Sequence, residues 1–126
     1  MSKPKITEAN IIRAIGGYLQ YQRNQGKLMY IRNNSGAMPV IDGKNKRRYI
    51  RFGDKGSPDF LVWIPEGIYQ SLGCLWVLRG IGIECKSETG KQSADQIKWQ
   101  VDFEKLGGEY YVVRSIEEAI NIIKGR

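Results

Sequence analysis

The sequence predicts an α/β sandwich: a central mixed β-sheet flanked by helices, with a basic β-hairpin inserted between strands. Three observations predict it. Apolar residues recur at helical spacing in three separate segments, each opened by a Thr or Ser suited to capping. Short β-rich runs lie between those helices, so the layers must share one sheet. The 126 residues and 14.4 kDa suit one domain spanning residues 1–126, with a core of modest size.

Thr7 to about Gln25 reads as the first helix, with Thr7 as N-cap, Asn10 where a capping partner would sit, Ile12, Ile15 and Leu19 on one stripe, and Gly26 as terminator. Lys27 to Gly36 reads as a strand running into a turn at Asn33-Asn34-Ser35-Gly36. Asp42-Gly43 between two short apolar runs implies a hairpin or extended arm with a basic tip. Pro58 holds Ser57 extended and opens the core strand Phe60-Leu61-Val62-Trp63-Ile64. Residues 65–80 read as a connection with some strand character near Trp76-Val77-Leu78, ahead of a third core strand, Ile81 to Lys86. Ser93 to Leu106 is a helix closed by Gly107-Gly108, Glu109 to Arg114 a strand, and Ser115 the cap of a last helix through Ile123, with the S-x-x-E capping-box pattern.

Composition narrows the chemistry. Twenty Lys and Arg against thirteen Asp and Glu give a formal charge of +7, which favours polyanionic partners and also serves solubility. No apolar run is long enough to cross a bilayer, and Met1 to Lys5 lacks the apolar centre of an export signal. Cys74 and Cys85 have no C-x-x-C spacing and read as reduced thiols of a cytosolic protein. There is no histidine, which excludes Ser-His-Asp and Cys-His catalysis and His-ligated zinc. Chemistry here rests on carboxylates, lysine, or both.

Five residues break the apolar pattern. Strand alternation sends Ile81, Ile83 and Cys85 to one face and Gly82, Glu84 and Lys86 to the other. An isolated E-x-K is ordinarily a solvent-facing ion pair. Asp59 begins the preceding core strand, however, and antiparallel pairing would bring it beside Glu84 and Lys86. Two carboxylates that close repel unless a cation compensates, and Mg2+ with its oxygen preference is the natural candidate. Glu8 sits at the end of the stripe Ile12, Ile15, Leu19, and Gln96 precedes Trp99, Phe103 and Leu106 by helical steps, so both place a polar group on an apolar side. Each alone is better read as a helix-end residue reaching solvent; together they imply a shared polar pocket.

The ordered set Asp59, Glu84-Cys85-Lys86 and Gln96 resembles the PD-(D/E)xK nuclease superfamily, and within it the virus-type replication-repair nuclease (VRR-NUC) branch. Similar stretches are Thr7-Glu8, Arg32 to Gly36, Gly56 to Leu61, Ile83 to Lys86, Gly90 to Gln96, Gly107-Gly108 and Tyr111 to Ser115, covering the chain from Thr7 to about Ile123. The resemblance implies a restriction-endonuclease-like sandwich and a nuclease using Mg2+ or Mn2+. It implies that Asp59, Glu84 and the main-chain carbonyl of Cys85 bind the metal, that Lys86 handles the attacking water, and that Glu8 and Gln96 complete the site. Ala94 stands where relatives often have proline, and Cys85 where valine is commoner; neither removes a group the chemistry needs. It further implies a homodimer that cuts branched DNA such as four-way junctions, in the cytoplasm of a bacterial or phage-infected cell. An end-directed exonuclease and a catalytically silent DNA-binding module of the same fold are the alternatives.

Lys44, Lys46, Arg47, Arg48 and Arg51 put five cations within eight residues, ordinarily a solvated tip, but beside such a pocket a phosphate clamp with Tyr49 stacking on a base or ribose. Lys55 and Lys91 flank the site and are candidate phosphate contacts. Gly67-Ile68-Tyr69 invites comparison with nucleases named for GIY and YIG segments, yet no Tyr-Ile-Gly follows. Gly80-x-Gly82 lacks the third glycine and the following helix of a dinucleotide fingerprint.

Overall fold

Thr7 starts the first helix by accepting the Asn10 N–H on its hydroxyl at 3.1 Å, and α1 (Glu8–Asn24) follows. The structure is a computed structural model describing residues 4–125; the export-signal reading at Met1 to Lys3 lies outside the described residues. After α1 come β1 (Met29–Arg32), β2 (Gly36–Ile41), β3 (Arg47–Phe52), β4 (Phe60–Gln70), β5 (Gly73–Cys85), α2 (Ala94–Lys105), β6 (Glu109–Val113) and α3 (Ile116–Lys124). The main sheet has the order β1-β4-β5-β6, antiparallel except for the parallel β5–β6 pair, while β2 and β3 form a separate two-stranded ribbon. This is the mixed sheet with flanking helices that the sequence implies.

The core gathers on the face of β5 carrying Ile81, Ile83 and Cys85. Ile11, Ile15 and Leu19 of α1 and Ala119 of α3 pack there with Phe60, Val62 and Val113, all buried. Burying such an Ile or Leu contributes about 1.5–3 kcal/mol, so this layer fixes the strand registers. α2 covers the opposite face. Gly80 and Gly82 admit it: a Cβ on Gly80 would meet the Phe103 ring at 3.6 Å, and one on Gly82 would lie 3.0 Å from Pro58 Cγ and 3.3 Å from Tyr110 Cδ2.

Three local expectations need correction. Residues 65–80 are no mere connection, since β4 and β5 stay paired from Phe60↔Ile83 to Gln70↔Gly73. Pro65 and the glycines suggested breaks, but β1 pairs only as far as Trp63, so beyond it β4 is an edge strand where proline is tolerated. Leu106 is 88% exposed, because it falls past the end of α2; Phe103 ends the contact stripe, its ring lying where a Cβ on Gly108 would stand. At Ser115 the hydroxyl accepts the Glu118 N–H, but the Glu118 carboxylate accepts from Arg114 N, leaving the box half closed.

Candidate active site

The antiparallel register that sets Phe60 opposite Ile83 brings the ends of the two central strands together at one end of the sheet: Asp59 arrives where Glu84 leaves. Asp59 Oδ2 accepts the Cys85 N–H at 2.7 Å, and its carbonyl accepts from Asn33 N and from Arg32 Nη1, each at 2.8 Å. Arg32 Nη1 also lies 3.5 Å from Asp59 Oδ1. Asn33 donates its side-chain amide to Ser57 Oγ at 2.7 Å and to the Pro58 carbonyl at 2.9 Å, which pins the segment leading into Asp59.

Glu84 is only 2% exposed. Its Oε1 accepts from Gln96 Nε2 at 3.2 Å and lies 3.7 Å from Lys86 Nζ, while Oε2 is buried without a hydrogen-bond partner among the described residues. Burial first, then the negative charge of Asp59, pushes the Glu84 pKa up to about 8, against the opposing pull of Lys86. Glu8, in the first turn of α1, completes an acidic group: one carboxylate oxygen each from Glu8, Asp59 and Glu84 lie within 4.8 Å of one another. A buried, unpaired carboxylate oxygen costs free energy in a dry interior, so a cation held here would remove a penalty that the protein alone carries. The donors are all oxygen, the set that Mg2+ and Mn2+ favour.

Gln96 reaches Glu84 from α2. Its Oε1 accepts the Ser93 N–H at 2.9 Å and its own N–H donates to Ser93 Oγ, a capping box that fixes the amide and leaves Nε2 for Glu84. The S-x-x-Q spacing from Ser93 to Gln96 is the sequence signal for this box. Cys85 turns its thiol into the core, and burial raises the thiol pKa, so only its main chain faces the acidic group.

The cations divide in place. Lys44 and Lys46 sit at the exposed tip between β2 and β3, where Asp42 Oδ1 accepts both of their backbone N–H groups. Arg47, Arg48 and Arg51 are exposed along β3; Arg48 Nε lies 4.0 Å from Asp42. Lys55 pairs with Asp95 at 3.3 Å, and Lys91 is exposed just before α2. Three contributors carried no assigned role from sequence: Arg32, Asn33, and Arg114, whose Nη1 donates to the carbonyls of Ser87 and Gly90 in the loop after Lys86. Arg32 ends the segment that reads as a strand, and Asn33 opens the one that reads as a turn.

An acidic cluster with a lysine and a glutamine at the end of the central strands of a helix-flanked mixed sheet is the arrangement of the restriction-endonuclease-like, PD-(D/E)xK class. Residues 9–117 match the VRR-NUC domain, and the chain belongs to that family, which makes it a nuclease of the PD-(D/E)xK type. No curated protein and no solved structure gives a significant match to the chain. Among the described residues, no helix is long and apolar enough to cross a membrane.

Proposed function

We propose that the protein is a Mg2+- or Mn2+-dependent DNA endonuclease that hydrolyses phosphodiester bonds of branched DNA, four-way junctions included, and works as a homodimer. The observation that carries the metal-dependent reading is the convergence of Glu8, Asp59 and Glu84, with the Glu84 Oε2 buried and unpaired among the described residues. Asp59, Glu84, Glu8 and the main chain of Cys85 would hold the ion. A bound divalent cation would make water a better nucleophile near neutral pH and offset charge gathering on the phosphate.

The side chains supply the rest. Lys86, 3.7 Å from Glu84, orients the attacking water and offers its ammonium to the charge that builds on the phosphate oxygens. Gln96 holds Glu84 Oε1 and so fixes the direction of Oε2. Water adds to phosphorus, a P–O bond breaks, and the departing oxygen takes a proton; no covalent enzyme intermediate is needed. Lys44, Lys46, Arg47, Arg51, Lys55 and Lys91 contact backbone phosphates, while Arg48 turns to the other face of the ribbon, beside Asp42. Paired sites related by a two-fold axis suit symmetric cutting of a junction, and the apolar tip of the β4–β5 hairpin favours self-association.

The test is cleavage of an end-labelled panel of linear and branched DNAs with Mg2+ or Mn2+, repeated with chelator. Glu84→Ala and Lys86→Ala should each lower cutting by about 100-fold or more while DNA is still bound. Wild-type rates in both variants, or cutting that survives chelation, would refute the proposal, and a product ladder growing from the ends would replace endonuclease with exonuclease.

A further inference from the structure

The β2–β3 ribbon sorts its side chains by face. Its register pairs Ala37 with Arg51, Pro39 with Tyr49 and Ile41 with Arg47, so these six share one side, while Met38, Val40, Arg48, Ile50 and Phe52 share the other. Arg47 and Arg51 thus flank Tyr49 on one face, and neither guanidinium has an acidic partner among the described residues. The second face is mostly apolar, and its one cation, Arg48, is the one beside Asp42. Every residue of β3 is exposed.

The cationic face runs down to a cavity of about 230 Å³ at the foot of the ribbon, lined by Ser35, Gly36, Ala37, Arg51, Gly53 and Lys55 among others. The legs close tightly there: Gly53 has φ 69°, and a Cβ on it would come 2.3 Å from the Asn34 carbonyl oxygen. Just past the cavity the chain is tied to α2. A Cβ on Gly56 would stand 2.3 Å from the Asp95 carbonyl oxygen, and the Trp99 indole donates to Asp54 Oδ2 at 2.9 Å. The foot of the ribbon is therefore fastened to the helix that carries Gln96 and, through Asn33, Ser57 and Pro58, to the segment that carries Asp59.

We infer that the ribbon is a duplex-binding arm: its Arg47-Tyr49-Arg51 face lies against one double-stranded arm of the substrate, with a backbone phosphate seated in the foot cavity between Arg51 and Lys55. The inference rests on the nuclease reading and specifies the DNA form and the face that meets it. A two-stranded ribbon has the width the major groove of duplex DNA admits. Six residues extend about 20 Å, the rise of roughly six base pairs, so the arm reaches duplex about half a helical turn from its foot. Duplex of that length is close to straight, its persistence length being about 50 nm, so it can follow the ribbon along its whole extent.

The experiment is fluorescence anisotropy with labelled duplex and single-stranded DNA over a salt series, in chelator so that nothing is cut, with a parallel cleavage assay in Mg2+ or Mn2+. The double variant Arg47→Ala/Arg51→Ala should bind duplex more weakly and flatten the plot of log affinity against log salt by about two units of slope, one per lost phosphate contact. Arg48→Ala should change the slope far less. A duplex arm trimmed below about six base pairs should bring wild-type affinity down to that of the double variant. Equal slopes for wild type and double variant, an equal loss from Arg48→Ala, or a loss confined to single strands would overturn the inference. Wild-type protein that binds duplex through the arm but cuts no DNA would support the arm and refute the catalytic reading instead.

Discussion

Glu84 must shed a proton before it can hold a cation, and its surroundings resist that. Its folded-state pKa of about 8 lies above the ordinary 4.5, so without metal its contribution to stability is fully present below about pH 4.5 and is lost as pH rises through about 8. Thermal unfolding in chelator should show the wild type losing stability over that window relative to Glu84→Gln, which carries no charge; at high pH the variant should melt at least ~5 °C higher. The same proton competes with the ion, so Mg2+ or Mn2+ affinity should climb about tenfold per pH unit between roughly pH 6 and 8 and then level off. Titration calorimetry reads this directly, and a pH-independent affinity would mean that Glu84 is not a ligand. Glu84 and Lys86 stood out in the sequence because strand alternation leaves no apolar reason for them. Arg32 and Arg114 did not, because both act largely through main-chain carbonyls of distant segments, and carbonyls carry no sequence signal.

At the scale of elements, the site depends on how closely two layers approach over Gly82. This residue shares the Glu84 face of β5 and lies between Pro58 and Tyr110, so an added methyl would press on the residue preceding Asp59. Gly82→Ala should therefore cost about 1–3 kcal/mol and lower cleavage with it, since moving Pro58 shifts a carboxylate that needs sub-ångström placement. Gly80→Ala, facing Phe103 at 3.6 Å, meets ordinary contact and should leave both stability and cleavage near wild type. Thermal melts and cleavage rates of the pair decide the matter; equal behaviour would show that the Pro58 contact does not govern the site. The caps at Thr7, Ser93 and Ser115 and the order of elements were legible, because short-range hydrogen bonding and periodicity fix them. The length of β4 and β5 was not, because Pro65 and three glycines carry the local signature of a turn, and only the partner strand overrides it.

At the scale of the whole molecule, β4 and β5 outrun their neighbours. β1 supports β4 only up to Trp63 and β6 supports β5 only from Ile81, so the paired segments between them project from the sheet. A two-stranded hairpin alone in water is marginal. This one exposes Tyr69, Leu72, Leu75, Trp76 and Leu78, with Trp76 68% and Leu72 98% exposed, and Trp76 lies over Gly67. A second copy meeting the same hairpin about a two-fold axis would cover those side chains and supply the missing support, and aromatic residues such as Trp76 bring on the order of 150–250 Å² each to such contacts. The strands that reach the tip are the ones that hold Asp59 and Glu84 at their other end, so docking there would fix the separation of two sites without touching either. Trp76→Glu combined with Leu78→Glu should thus halve the mass seen by light scattering, leave metal binding intact, and turn paired incision of a four-way junction into unpaired nicks. A wild type of monomer mass, or a variant that stays dimeric, would rule the hairpin out as the contact between copies.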